Sequence, residues 1–260
     1  KHENNAMENF NISVAIDKKF LDAAKNNKEY DLINPNTKKA CGKMNAKKVF
    51  DALTNSAWKS GDPGVIFIDR INDTQSNPTP ELGQIESTNP CGEQPLLPWE
   101  PCNLASINIA KFVRGEITKA TFDFDALEGV VKTVIRFLDN VIEINNYPLA
   151  EIEKMAKTNR RIGLGVMGLS ETFVHMGVGY DTPEGLELAE KIMKFINDTA
   201  MIASEALAKE RGIFPNFKNS VFDEKGKHFR GEKHTPRNAA RTTIAPTGTI
   251  AITAGLQGSG

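Results

Sequence analysis

Asn89-Pro90-Cys91-Gly92-Glu93 places a thiol two residues from a carboxamide on one side and two residues from a carboxylate on the other. In an extended segment or tight loop, residues two apart face the same way, so Asn89, Cys91 and Glu93 are spaced to converge on one bound molecule. A thiol between a hydrogen-bonding amide and a proton acceptor is the makings of a reactive centre. Asn-Pro and Cys-Gly are also ordinary turn dipeptides, and a small cysteine packs as readily as it reacts. Taken alone, the five residues leave both readings open. Cys102, a short way downstream, is a second thiol. Pro246-Thr247-Gly248-Thr249-Ile250 joins a glycine, which lets successive N–H groups turn toward an anion, to two hydroxyl donors. A helix beginning at Thr249 or Ile250 would add its positive end.

The elements that position these groups are read from periodicity. Asn11 to Ile16 predicts a brief strand and Lys18 to Ala24 a helical turn or two. Ala46 to Trp58 predicts an amphipathic helix with Val49, Phe50, Leu53 and Trp58 near one face, stopped by Gly61-Asp62-Pro63-Gly64. Val65 to Ile68 reads as a buried strand. Pro78, Pro80, Pro90, Pro95, Pro98 and Pro101 forbid regular helix through that stretch, so the Cys91 segment is a shaped loop, the kind of element that carries function. Phe124 to Ile144 predicts a long helix with Leu127, Val131, Val134, Ile135, Leu138 and Ile142 as its apolar stripe. Leu149 to Thr158 predicts another. Thr182-Pro183-Glu184 opens a third, running to Glu210, with Leu186, Ala189, Ile192, Met193, Ile196, Ala200, Ala203 and Leu207 inward. Thr242 to Ala245 reads as a short strand feeding the Pro246 turn. Helices alternating with short strands make the fold class α/β.

Gly163-Leu164-Gly165-Val166-Met167-Gly168 spells G-x-G-x-x-G, but a dinucleotide fingerprint needs a strand immediately before it. Glu151 to Arg161 reads instead as a polar helix. Tight helix packing through the glycines is the expectation, with Arg160 and Arg161 in structural ion pairs. A non-catalytic nucleotide-binding module built on these glycines is the alternative.

The chain has 260 residues, enough for one α/β domain or two smaller ones, and at 40% hydrophobic and 25% charged it has the composition of a soluble globular protein. Lys and Arg total 32 against 33 Asp and Glu, so no global basic field argues for nucleic acid. The local clusters Lys38-Lys39, Lys47-Lys48 and Lys225 to Lys233 read as solvated faces. No apolar run approaches the roughly 20 residues of a membrane span, and Lys1 to Asn11 is too polar for a secretory signal. Cys41, Cys91 and Cys102 are too few and too scattered for a disulfide scaffold, which suits a reducing cytoplasm. Cys41 reads as an incidental loop cysteine. His2, His175, His228 and His234 have no metal-ligand spacing with the cysteines, so no metal site is expected, and His175 reads as a core-edge residue. Lys1 in place of an initiator Met, and a stop at Gly258-Ser259-Gly260 just after an apolar stretch, make both ends read as cut.

Thr88 to Leu96 (TNPCGEQPL) followed by Cys102-Asn103-Leu104-Ala105-Ser106-Ile107-Asn108 resembles the catalytic finger loop of ribonucleotide reductases. The Asn-Pro-Cys-Gly-Glu-Gln wording is most similar to the adenosylcobalamin-dependent class. Asn9 to Val14 (NFNISV), Gly61 to Asp69 (GDPGVIFID), Arg160 to Leu169 (RRIGLGVMGL) and Ala245 to Ile250 (APTGTI) resemble further family stretches, in the family's order. The resemblance implies that residues 1–260 are part of a catalytic barrel domain, ten-stranded and α/β, truncated at both ends, with the cysteine loop through its centre. It implies a thiyl radical on Cys91 that abstracts the 3′ hydrogen of a ribonucleotide, Glu93 as base for the 3′-hydroxyl, and Asn89 as its hydrogen-bonding partner. Pro90 and Gly92 complete the substrate-binding loop, Cys102 is one of two reducing thiols, and Pro246 to Ile250 grip phosphate. The second reducing cysteine lies outside this segment, and Cys41 does not correspond to it. Adenosylcobalamin is the implied cofactor and a thioredoxin-type reductant the implied partner, with a homodimer for the full-length protein. The enzymatic alternative is the class whose radical comes from a separate metal-containing subunit.

Overall fold

Short polar side chains start the first two helices of the chain. β1 (Ser13–Ile16) runs into α1 (Lys18–Lys25), where Asp17 accepts a hydrogen bond from the Phe20 amide at 2.6 Å. β2 (Glu29–Ile33) and β3 (Ala40–Asn45) form an antiparallel hairpin, and the Asn45 side chain accepts from the Lys48 amide at 2.9 Å to open α2 (Ala46–Ser60). Each cap satisfies an amide that the helix itself leaves bare, worth about 1 kcal/mol. β4 (Gly64–Phe67) lies parallel to β1, with Ser13 opposite Gly64 and Ile16 opposite Phe67, and α3 (Ile68–Asp73) follows. Strand alternation gives this ribbon two faces. Val14 and Ile16 join Phe20, Tyr30, Val49 and Leu53 around an apolar cavity of ≈ 390 Å³, while Ser13 and Ile66 belong to the other side.

The computed structural model describes residues 9–231 and 233–258. Their contacts divide the chain into two units, one comprising residues up to Asn77 with Gln84–Pro95, the other Pro78–Gly83 with everything from Leu96 onward. The Cys91 loop in the first unit is bracketed by two-residue strands, β5 (Ser87–Thr88) and β6 (Pro95–Leu96). In the second unit β7 (Asn103–Asn108) leads to the small hairpin of β8 (Val113–Arg114) and β9 (Thr121–Phe122), then to α4 (Phe124–Ile144) and α5 (Ala150–Asn159). β10 (Ile162–Met167) pairs in parallel with β7, Asn103 opposite Ile162 through Asn108 opposite Met167. α6 (Leu169–Met176), α7 (Pro183–Arg211) and α8 (Gly248–Thr253) complete the elements.

The core of the second unit follows the helical period. Leu127, Val131, Ile135, Leu138 and Ile142 of α4 pack with Ile192, Ile196, Ala200, Ala203 and Leu207 of α7, against Ile107, Ile162, Leu164 and Val166 of the strands. Fully burying each larger aliphatic contributes about 1.5–3 kcal/mol. Residues 239–243 run along the other edge of β10: Ile162 N donates to Ala240 O at 3.1 Å, Leu164 N to Arg241 O at 2.8 Å, and Thr243 N to Leu164 O at 3.0 Å. The approach is close enough that a Cβ on Gly165 would stand 2.7 Å from Thr243 O. Glycine is required there.

Several expectations need correction. Val65 and Phe67 are each 42% exposed, so β4 is not a buried strand, and Ile68 already belongs to α3. Trp58, at 84% exposed, and Leu186, at 68%, point away from the apolar stripes of their helices. His175 is exposed on α6, and Cys41 lies on β3, not in a loop. Thr242 makes one parallel bridge with Leu164, but residues 242–245 form no strand of their own. Gly163 and Gly165 lie inside β10, so the glycines serve close strand packing and not helix packing. The molecule is mixed α/β.

Candidate active site

The tip of the Cys91 loop is a tight turn. Gly92 N donates to Asn89 O at 3.1 Å, closing a four-residue turn with Pro90 in its second position, where a fixed φ is favourable. The neck is closed by Asn89, whose N–H donates to Gln94 O at 3.1 Å and whose Oδ1 accepts from Gln94 N at 2.9 Å. That commits the carbonyl end of the amide to the loop and leaves Nδ2 as the end that can serve a ligand. The alternation expected of an extended segment is absent here; the turn, not strand geometry, sets where Asn89, Cys91 and Glu93 point. Cys91 and Gly92 are exposed, Glu93 is half-buried and Gln94 is buried.

The rising leg is anchored by a residue that sequence reading passed over. Asn72 on α3 donates through Nδ2 to Ile85 O at 2.9 Å and accepts at Oδ1 from Ile85 N at 2.8 Å. Both peptide groups of a fully buried residue are thereby satisfied by one amide, four positions before Asn89. The sequence signal was an Asn in the last turn of a short helix, which propensity alone does not favour. Beside this leg lies a cavity of ≈ 460 Å³, bordered by Asn9, Asn11 and Ser13 on one side and Glu86, Thr88 and Asn89 on the other. That volume is within the range of small-molecule sites. Asn9, Asn11 and Ser13 were legible only as part of a family stretch, not as site residues.

In the second unit, Cys102 is half-buried just before β7, its Sγ 3.6 Å from Asn103 O. It lines a small cavity of ≈ 80 Å³ with Asn145, Tyr147 and Arg161. Burial pushes the Tyr147 phenol up, and its hydroxyl donates to Ile142 O at 3.0 Å. The segment just before Cys102 is fixed by Glu100. One carboxylate oxygen meets Arg161 Nε at 3.1 Å and Asn159 Nδ2 at 2.6 Å; the other accepts from Leu97 N at 3.0 Å. Arg160 pairs separately with buried Asp139 at 2.9 Å and with Glu143 at 2.6 Å. The ion pairs expected of both arginines are present. Arg237 also faces Asp139, and its pKa is pulled down by burial and then by the Arg160 charge.

The Pro246 turn lies in this unit too. α8 starts at Gly248, one residue before the earliest expected start. Thr247 precedes it in the left-handed region at φ 55° and is buried, while Gly248, Thr249 and Ile250 are exposed. A β-branched residue in that conformation is strained, and the backbone N–H groups of the first turn of α8 lack helical partners. Among the described residues no group of three or more His, Cys, Asp and Glu is arranged to hold a metal, and no helix is long and apolar enough to cross a membrane. His2 and residues 1–8 of the polar N-terminus lie outside the described residues.

The family model for the ribonucleotide reductase barrel domain matches residues 1–259. The chain belongs to the ribonucleotide reductase family. It is 47% identical over 257 residues to the vitamin B12-dependent ribonucleoside-diphosphate reductase of Thermoplasma acidophilum, covering 99% of this chain and 32% of that protein. It is 45% identical over 246 residues to the protein of the same name from Mycobacterium tuberculosis, covering 95% of this chain and 34% of the relative. A ribonucleoside-diphosphate reductase subunit alpha of Chlamydia pneumoniae is 30% identical over 248 residues, with 82% and 23% covered. This reductase-family chain thus spans about a third of the length of the first two relatives. The fingerprint alternative loses its basis in the fold: a helix, α5, precedes Arg161, and the first two glycines lie within β10 instead of in a turn that follows a strand.

Proposed function

We propose that this chain is the central part of an adenosylcobalamin-dependent ribonucleotide reductase, within a ten-stranded catalytic barrel that the full-length protein completes. The observation that carries the reading is a thiol held at the tip of a turn by Asn89 and Gln94, in a chain similar across nearly its whole length to proteins named for vitamin B12. Adenosylcobalamin, when bound, would supply the oxidising equivalent that converts the Cys91 thiol into a thiyl radical. The cavities described above are too small for a corrin ring.

Cys91 in its radical form takes the 3′ hydrogen of the ribonucleotide, re-forming S–H and leaving a carbon radical. Glu93 accepts the 3′-hydroxyl proton while the Asn89 Nδ2 donor steadies the developing 3′ oxygen. The 2′-hydroxyl leaves as water with a proton from the reducing thiols. Cys102 and a second cysteine outside this chain supply two electrons in total, deliver a hydrogen to C2′ in place of the departed hydroxyl, and close to a disulfide. Cys91 finally returns hydrogen to C3′. Thr247, Gly248, Thr249 and Ile250 hold phosphate through backbone N–H groups and hydroxyls, with Pro246 setting the turn. A thioredoxin-type reductant reopens the disulfide, in a cytoplasmic homodimer.

The test is turnover of a ribonucleoside diphosphate by the full-length protein with thioredoxin, with and without adenosylcobalamin. Deoxyribonucleotide formed only with the cofactor supports the reading. Activity that needs a separate metal-containing subunit and ignores cobalamin would assign the other radical class.

A further inference from the structure

The face of the β1–β4 ribbon that borders the Cys91 loop is small and polar where its reverse is aliphatic. Asn11, Ser13 and Ala15 follow one another at the strand period and all border the ≈ 460 Å³ cavity, with Ile66 beside them. Ser13 lies against Gly64: a Cβ there would come 2.9 Å from Ser13 Oγ, so glycine is what leaves the hydroxyl in place. Phe10, 62% exposed, stands at the same cavity. Among the described residues no Lys or Arg lines it, and Glu86 is the one charged residue that does. Amides, hydroxyls and an aromatic ring without a cation match an uncharged, hydroxyl-bearing ring system and repel a phosphate.

We propose that Asn11 and Ser13 hydrogen-bond a nucleoside in this cavity and that Phe10 stacks on its base. The inference rests on the reading of Asn89 as a sugar-holding residue, since Asn89 closes the opposite wall. Two ligands of that reading carry a nucleoside, the ribonucleotide substrate and the adenosyl group of the cofactor, and the shared chemistry is what the face recognises. Phe10 offers the π-face on which any base stacks, while the amide and hydroxyl provide both donors and acceptors.

Equilibrium binding to the full-length protein tests this, with cytidine diphosphate in one arm and 5′-deoxyadenosine in the other. Asn11 and Ser13 are exposed, so truncating them leaves the fold in place, which the thermal unfolding curve of each variant verifies. Asn11→Ala and Ser13→Ala should each weaken binding about three- to tenfold, and Phe10→Ala about tenfold or more. Weakening in the diphosphate arm assigns the face to substrate, and weakening in the deoxyadenosine arm assigns it to the adenosyl group; both support the site. Wild-type affinity of all three variants for both ligands, or a wild type that binds neither, overturns it. Failure of the reductase assay with these effects intact would sink the function and spare the site. A working reductase whose variants bind both ligands as the wild type does would sink the site and spare the function.

Discussion

The two legs of the Cys91 loop are secured by different chemistry. Before the tip, Asn72 holds both peptide groups of Ile85 with one neutral amide. After it, Glu100 is a fully buried carboxylate gathering Arg161, Asn159 and the Leu97 amide. A neutral clamp costs little to bury and is modest to lose, whereas a buried ion pair is a weak stabiliser as a pair but severe when half of it is removed. The tip itself uses neither: Gly92 N donates to Asn89 O across the turn, and Asn89 pairs with Gln94 at its neck. Rigidity is concentrated at the legs and exposure at the thiol.

The sharpest way to break this comparison is to remove one side of the charged anchor. Glu100→Ala leaves the Arg161 guanidinium buried without its carboxylate, and we expect a loss of about 3–5 kcal/mol in denaturant unfolding of the full-length protein. Asn72→Ala should cost less, about 1–3 kcal/mol, by stranding the two Ile85 peptide groups. If Asn72→Ala proves the more damaging, the neutral clamp and not the ion pair dominates the loop. Gly165→Ala drives a Cβ against Thr243 O and should cost about 1–3 kcal/mol. It should also raise the KM for nucleotide, because the displaced segment at Thr243 leads into the Pro246 turn; an unchanged KM would uncouple that turn from β10. Trp58→Ala, at an exposed position, should stay within about 0.5 kcal/mol of wild type.

How much was legible in the sequence tracks how local the determining physics is. Phe124–Ile144 could be read to its ends because Asp123 caps it and its stripe repeats at the helical period. The turn chemistry of Asn-Pro-Cys-Gly was likewise legible, and the ion pairs of Arg160 and Arg161 followed from two cations expected at a helix end. Val65 to Ile68 misled because a run of apolar residues specifies strand but not burial, which depends on what covers it. Leu186 and Trp58 sit at the ends of stripes, where the drift of the period carries a side chain off the core face. Gly163 and Gly165 could not be placed from their own letters: the strand is set by β7 and by residues 239–243, both remote in sequence. Asn72 was invisible for the same reason, since its role exists only once Ile85 is beside it.

The role of Cys91 is tested most directly by following the 3′ hydrogen. With a 3′-tritiated ribonucleotide and adenosylcobalamin, the full-length protein should cleave the 3′ C–H bond. Cys102→Ser should still cleave it while failing to give clean deoxyribonucleotide, and Cys41→Ser should behave as wild type. Cys91→Ser should abolish cleavage, because an alcohol O–H is a far poorer hydrogen carrier than a thiol. Cleavage that persists in Cys91→Ser, or that is lost only in Cys41→Ser, would contradict the account.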